Sequence, residues 1–128
     1  MAISINHVAV YVADLERARR FYETYFAARA GDEYHDPRTG LRTYFLSFDG
    51  GVRLELMTRP GLSASAPQPA HGWNHLALSV GSTTAVDELT ARLRHDGFEI
   101  LSGPRTTGDG YYESVAVDPE GNLIEITV

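Results

Sequence analysis

The chain has 128 residues, of which 43% are hydrophobic and 22% are charged, so it is long enough and apolar enough to form a folded domain. It contains no cysteine and no lysine, which excludes disulfides, zinc–thiolate sites, cysteine nucleophiles and lysine Schiff bases. The net charge of −6 disfavours nucleic acids and anionic membranes as partners, and no segment resembles a signal peptide or a membrane span. We therefore expect a cytoplasmic protein whose partner is a small molecule.

The first half of the chain reads as a strand, a helix and three further strands. Alternating β-favouring residues predict a strand over 3–12, and Asp14 is a good N-cap for a helix that continues to about Ala27. Turns rich in Gly, Asp and Pro separate three more predicted strands, which cover residues 29–34, 41–48 and 52–58.

The second half repeats this order after a linker. Residues 59–71 are rich in Pro, Ser, Ala and Gly, which is typical of a linker. A strand that begins at Trp73, taken as a core residue, is followed by a helix over about 84–96. Three strands then end the chain, near residues 98–102, 111–117 and 123–128.

The repeated order predicts the fold class. One helix on four strands would leave a large apolar face open, so we expect the two halves to combine. The predicted class is α+β, with two βαβββ repeats forming an open, cup-shaped mixed sheet with the helices on the outside. We expect a single domain over 1–128, with repeats at about 1–58 and 72–128.

Two short motifs are repeated at nearly constant spacing. The segment NHVAVYV, which begins at Asn6, returns as NHLALSV from Asn74, and VRLEL from Val52 returns as NLIEI from Asn122. Each half therefore has one histidine early and one glutamate late. Because side chains alternate along a strand, all four lie opposite aliphatic stripes that are expected to face the helices. Two imidazoles and two carboxylates are suitable ligands for a divalent metal, so we predict a metal site formed by His7, Glu55, His75 and Glu125.

These motifs, the helix segment from Asp14 and the closing segment DPEGNLIEI from Asp118 resemble the vicinal oxygen chelate superfamily. That superfamily includes glyoxalase I, methylmalonyl-CoA epimerase, extradiol dioxygenases, and fosfomycin and bleomycin resistance proteins. The resemblance covers essentially the whole chain. Dioxygenases and fosfomycin enzymes usually lack an acidic ligand at the position of Glu55, and epimerases often have glutamine there. The His-Glu-His-Glu set therefore looks most like glyoxalase I.

The resemblance implies a lactoylglutathione lyase-like metalloenzyme that is a homodimer. It would have one divalent ion per site, which would be Ni, Zn, Co or Mn, with Fe less expected. The reaction would be proton transfer through a metal-bound enediolate, as in the hemithioacetal of a 2-oxoaldehyde and a thiol. Glu125 would act as the base, and Glu55 would carry the proton on the other side of the substrate.

Substrate contacts are predicted at Tyr11, Arg53 and Tyr112. Glutathione-using glyoxalase I enzymes usually have arginine at the position of Tyr11 and asparagine near that of Arg59, so this departure argues against glutathione as the thiol. Three alternatives stay open, namely an epimerase, an extradiol-type dioxygenase, and a metal-free ligand-binding protein of the resistance type. The sequence does not specify the metal, the substrate, or whether one chain or two form each site.

Overall fold

The computed structural model describes residues 1–64, 67 and 69–128. This part of the chain contains two helices and nine strands, and the chain divides into two compact units, Met1–Ser65 and Ala66–Val128. The predicted α+β class is confirmed, with one mixed sheet in each unit. The boundary between the units falls within the predicted linker 59–71, of which residues 65, 66 and 68 lie outside the described residues.

The first unit is a mixed sheet with a helix on one face. Its elements are β1 (His7–Tyr11), α1 (Leu15–Phe26), β2 (Arg29–Ala30), β3 (Tyr34–Asp36), β4 (Leu41–Ser47) and β5 (Arg53–Thr58). The predicted strand over 29–34 is instead two short strands separated by residues 31–33. The strands follow the order β1-β5-β4-β2, with β3 paired to β4. The pairing of β1 with β5 is parallel, and the other described pairings are antiparallel.

Helix α1 forms where the sequence predicts it. The Asp14 carboxylate accepts a hydrogen bond from the backbone N of Arg17 at 3.0 Å, which satisfies one of the free N–H groups of the first turn. The helix ends at Ala27, which adopts a left-handed conformation with φ of 53°. Its buried side chains recur at helical spacing and pack towards β4 and β5: Leu15, Ala18, Phe21 and Tyr22.

The second unit also begins with a strand and a helix, but three strands follow the helix instead of four. Its elements are β6 (His75–Ser79), α2 (Thr83–His95), β7 (Ile100–Thr106), β8 (Tyr112–Val117) and β9 (Leu123–Thr127). The strands follow the order β6-β9-β8-β7, and β6 and β9 are parallel. Ser82 is the N-cap of α2, because its hydroxyl accepts from the backbone N of Ala85 at 3.1 Å, so the helix begins slightly earlier than predicted.

In both units the aliphatic face of the sheet is buried beneath the helix. Leu54 and Leu56 of β5 are buried, as are Ile124 and Ile126 of β9, which confirms the predicted side for these stripes. The prediction that Trp73 belongs to the core is wrong, since it precedes β6 and is 88% exposed. No helix in the described part of the chain combines the length and the apolar character that a bilayer crossing requires.

Candidate metal centre

The pairing of β1 with β5 brings His7 and Glu55 together in the first unit. His7 lies opposite Arg53, and Ala9 lies opposite Glu55, so the imidazole and the carboxylate project from the same face of the sheet. The distance from His7 Nε2 to Glu55 Oε1 is 3.7 Å. Glu55 lies opposite Ala9 on β1 and opposite Phe45 on β4.

The second unit repeats this arrangement on β6 and β9. His75 lies opposite Leu123, Ala77 lies opposite Glu125, and His75 Nε2 is 3.1 Å from Glu125 Oε2. The structure therefore brings the predicted ligands together as two pairs, one in each unit. Among the residues that the structure describes, no group of three or more His, Asp or Glu side chains could hold an ion. The four-residue ligand set stays a prediction.

The separation within each pair can be compared with that of two neighbouring ligands of one ion. Two ligand atoms about 2.1 Å from an ion, at right angles to each other, lie about 3.0 Å apart. The 3.1 Å separation of the second pair matches this value, whereas the 3.7 Å separation of the first pair is longer. The side chains of His7 and His75 are 38% and 35% exposed, and those of Glu55 and Glu125 are 16% and 22% exposed. Each pair is thus reachable from solvent, with its carboxylate the more enclosed partner.

An asparagine lies behind each imidazole. Asn6 Oδ1 is 2.8 Å from His7 Nδ1, and Asn74 Oδ1 is 2.7 Å from His75 Nδ1. In both units the other ring nitrogen, Nε2, faces the glutamate. Neither asparagine was among the predicted site residues, although the repeat of Asn-His in both halves was a visible signal.

Two of the predicted substrate residues share the face of the first pair. The Arg53 guanidinium lies 4.3 Å from the centre of the Phe45 ring, and that ring meets the His7 ring edge-on at 5.1 Å. Tyr11 is 49% exposed, and the Arg59 guanidinium lies 5.8 Å from its ring centre. Two cations therefore lie near the ligand face of this unit.

Tyr112, the third predicted substrate residue, projects from the other face of its sheet. Its hydroxyl donates a hydrogen bond to Asp87 of α2, and this bond raises the pKa of Tyr112. The structure does not bring Tyr112 together with His75 and Glu125, and we leave it out of the proposed site.

The neighbour of Tyr112, Glu113, lies on the ligand face and was missing from the predicted site. It pairs with Thr127, two residues beyond Glu125 on β9. Burial raises the pKa of Glu113, and a hydrogen bond with Glu125 raises it further. Thr43 pairs with Met57 at the corresponding position of the first unit, so the additional carboxylate is specific to the second unit. The alternation of Glu113 with Tyr112 along the predicted strand over 111–117 was the signal that could have revealed it.

Comparison with known proteins identifies relatives of the whole chain. Residues 4–126 match the model of the Glyoxalase/Bleomycin resistance protein/Dioxygenase superfamily. The uncharacterised protein YqjT of Bacillus subtilis (strain 168) is 28% identical over 95% of this chain and 96% of its own length. Mitochondrial methylmalonyl-CoA epimerase of Bos taurus is 32% identical over 77% of this chain and 57% of its own length. The solved structure of trypanothione-dependent glyoxalase I from Leishmania major is similar with a TM-score of 0.79 at 24% identity, covering 98% of this chain and 86% of that chain.

Proposed function

Because the chain belongs to the glyoxalase/bleomycin resistance protein/dioxygenase superfamily, we propose that it is a metal-dependent lyase or isomerase of the glyoxalase I kind. It would move a proton between adjacent carbons of a small substrate. The observation that carries the proposal is the repeated His–Glu pair, with an imidazole Nε2 3.7 Å from a carboxylate oxygen in one unit and 3.1 Å in the other. The pair lies at the same register in both units, and in both units it is partly exposed and not packed in the core. A metal-binding role accounts for both features.

His7, Glu55, His75 and Glu125 would hold one divalent ion, which would be Ni, Zn, Co or Mn. Two neutral imidazoles and two carboxylates balance the charge of such an ion. When bound, the ion would stabilise negative charge on two neighbouring oxygens of the substrate. Each unit supplies two ligands, so the site would use both repeats, either of one chain or of two chains in a homodimer.

The glutamates would carry the proton. Glu125 would remove a proton from the carbon beside the substrate carbonyl, and Glu55 would serve the neighbouring carbon from the other side. The reaction would then be an isomerisation in which no atom is gained or lost. Both carboxylates are partly exposed, and each lies opposite an alanine on the neighbouring parallel strand.

Arginines near the first pair favour a substrate with an anionic group. Arg53 lies on the ligand face opposite His7, and Arg59 lies against Tyr11 on the same unit. A guanidinium can hold a carboxylate or phosphate through two parallel hydrogen bonds. We therefore propose that the substrate is a hemithioacetal, formed from a 2-oxoaldehyde and a thiol that carries a carboxylate or phosphate group.

A second candidate function is epimerisation of an acyl thioester. The similarity to the bovine methylmalonyl-CoA epimerase, at 32% identity, supports it. The chemistry would also be proton removal beside a carbonyl, so the proposed ligands and base would be the same. The two candidate functions predict exchange of hydrogen with solvent in different substrates, a hemithioacetal for the first and an acyl thioester for the second.

Metal content per chain is the first test. We expect about one equivalent of Ni, Zn, Co or Mn in tag-free protein by elemental mass spectrometry, as in a single four-ligand site. The His75→Ala variant should lose the metal, whereas His95→Ala, which changes an exposed histidine at the end of α2, should retain it. Protein that binds no metal even after reconstitution would contradict the proposal and favour a ligand-binding protein.

The substrate class is tested by hydrogen exchange in D₂O. We expect the metal-loaded protein to convert hemithioacetals of methylglyoxal and to introduce deuterium beside the product carbonyl. Exchange into an acyl-CoA without hemithioacetal turnover would instead support the epimerase. Oxygen uptake with a catechol by an iron-loaded protein would identify a dioxygenase and contradict both. The Glu125→Gln variant should lose exchange with either substrate, since the proposed base is removed.

A further inference from the structure

The two units hold their asparagines differently. Asn6 Oδ1 lies 2.8 Å from His7 Nδ1 and also 3.0 Å from Arg53 Nη2. Asn74 Oδ1 lies 2.7 Å from His75 Nδ1. His7 pairs with Arg53, and His75 pairs with Leu123, so an apolar leucine occupies the position of Arg53 in the second unit.

Arg53 determines which end of the Asn6 amide faces the imidazole. An asparagine side chain can present either an acceptor oxygen or a donor NH₂ group, and its neighbours decide which. A guanidinium has only donors, so the amide atom that faces Arg53 must be the oxygen. Because the same oxygen lies against His7 Nδ1, that nitrogen must carry the hydrogen. Nε2 of the neutral ring then keeps its lone pair on the side of Glu55.

Arg53 is itself fixed by its surroundings. Its guanidinium lies 4.3 Å from the centre of the Phe45 ring, an arrangement that favours a cation over an aromatic face. The same ring meets the His7 ring edge-on at 5.1 Å and 85°. The backbone N of Arg53 also donates to the carbonyl oxygen of Asn6 at 3.2 Å. The arginine and the asparagine are therefore joined through both backbone and side chain.

We propose that Arg53 is a positioning residue that acts through Asn6 to keep His7 in one tautomer, with hydrogen on Nδ1 and the lone pair on Nε2. This inference rests on the proposed function in one respect, that Nε2 of His7 binds the metal. Partners that hold the outer nitrogen of a ligand histidine commonly change metal affinity by about 10- to 100-fold. In the second unit Leu123 offers no donor to Asn74, so the orientation of that amide and the tautomer of His75 are not fixed in this way.

The tautomer can be observed without metal. Long-range ¹H–¹⁵N NMR spectra of the metal-free protein, at a pH above about 8 where imidazoles are neutral, distinguish a protonated ring nitrogen from an unprotonated one. We expect His7 to be protonated on Nδ1. In Arg53→Met, which keeps an aliphatic chain over Phe45 but removes the donors, the form of His7 with hydrogen on Nε2 should become visible, whereas the signals of His75 should stay as in the wild type.

Matched variants separate this role from a general structural effect. Leu123→Met places the same new side chain at the equivalent position of the second unit and should leave both tautomers unchanged. Asn6→Ala should reproduce the change caused by Arg53→Met. Asn6→Asp should restore the original tautomer, because its oxygens can accept from both Arg53 and His7.

Metal affinity provides the second measurement. In competition with a chelator for Zn²⁺, Arg53→Met should bind about tenfold more weakly, at the lower end of the range for such partners, and Leu123→Met should bind as the wild type does. A His7 tautomer that is unchanged in Arg53→Met would overturn the inference, whether or not metal binds. A tautomer that responds as expected in a protein that binds no metal would support the role of Arg53 and contradict the proposed function.

Discussion

Side-chain contacts at single positions decide much of the chemistry of this protein. The parity of residues along a strand predicts that His7 and Glu55 share a face, and the pairing of β1 with β5 produces that arrangement. Because side chains alternate along β8, Tyr112 faces α2, whereas its neighbour Glu113 lies on the face that carries Glu125. Adjacent residues of one strand therefore have different environments. The contact between Asn6 and His7 depends on a side-chain rotamer, which strand periodicity does not specify.

Glu16 provides a residue-scale prediction for the dependence of stability on pH. The Tyr44 hydroxyl donates to Glu16 at 2.7 Å, and this bond, with a second from Arg19, lowers the pKa of Glu16 below its ordinary value of 4.5. A carboxyl group with a lowered pKa in the folded state stabilises that state above the unfolded pKa, and this contribution is lost as the pH falls through the folded pKa.

We therefore expect Tyr44→Phe to lower the free energy of unfolding at neutral pH by about 1 kcal/mol or less, because the bond is partly exposed. The difference from the wild type should shrink as the pH falls below about 4.5. Urea denaturation at several pH values measures this effect. Tyr34→Phe, at a 58% exposed tyrosine, is the control. If Tyr44→Phe lowered the free energy of unfolding by the same amount at all pH values, the hydrogen bond to Glu16 would not be the cause.

At the scale of the elements, the sequence predicts the type of most helices and strands, but it places the start of β1 too early and the end of β7 too early. Ile3 and Ile5 continue the alternation of β1, yet they are 84% and 67% exposed and lie outside the strand. Strand β1 is at the edge of its sheet and pairs with β5, which begins at Arg53 opposite His7. Residues before His7 therefore have no strand residue to pair with. Helix α1 was predictable because a single cap and a local apolar stripe define it.

Gly103 lies at an irregularity in the pairing of β7 with β8 that strand periodicity does not predict. The register of this pair shifts between Ser102 and Arg105, and Gly103 lies there with φ of 81°. A Cβ atom at this position would lie 2.6 Å from the carbonyl oxygen of Glu113, which belongs to the backbone and cannot move aside. Glycine permits both the close approach and the positive φ.

We expect Gly103→Ala to destabilise the protein by more than about 1 kcal/mol, since both the clash and the backbone conformation oppose it. The midpoint of thermal or urea unfolding measures the change. Gly108→Ala is a matched control, because a Cβ atom at Gly108 would meet no atom within 4 Å. Equal stability of the two variants would contradict the role assigned to the close approach at Gly103.

At the scale of the whole molecule, the repeat gives two similar units with different additions to the ligand face. The first unit adds Arg53 beside its His–Glu pair, and the second unit adds Glu113. The sequence predicts the two pairs because each depends on pairing within one repeat. It does not predict whether the two pairs that hold one ion come from the same chain, because either arrangement supplies the same four ligands.

The proposed ion would be bound either by both pairs of one chain or by one pair from each chain of a dimer, and variants that lack one pair distinguish these two arrangements. The test combines one variant without the first pair, His7→Ala with Glu55→Gln, and another without the second pair, His75→Ala with Glu125→Gln. Neither variant should bind metal by itself. When the two variants are co-expressed, a mixed dimer contains one chain of each. If the sites are shared between chains, one of the two sites of each mixed dimer then receives an intact first pair from one chain and an intact second pair from the other.

Random pairing gives about half mixed dimers, so the metal content should recover to about a quarter of the wild-type value. Elemental mass spectrometry measures the recovery, and native mass spectrometry counts the mixed dimers. If each chain formed its own site, every chain in the mixture would lack one pair, and mixed dimers would remain free of metal. That outcome would rule out shared sites while leaving the four proposed ligands intact.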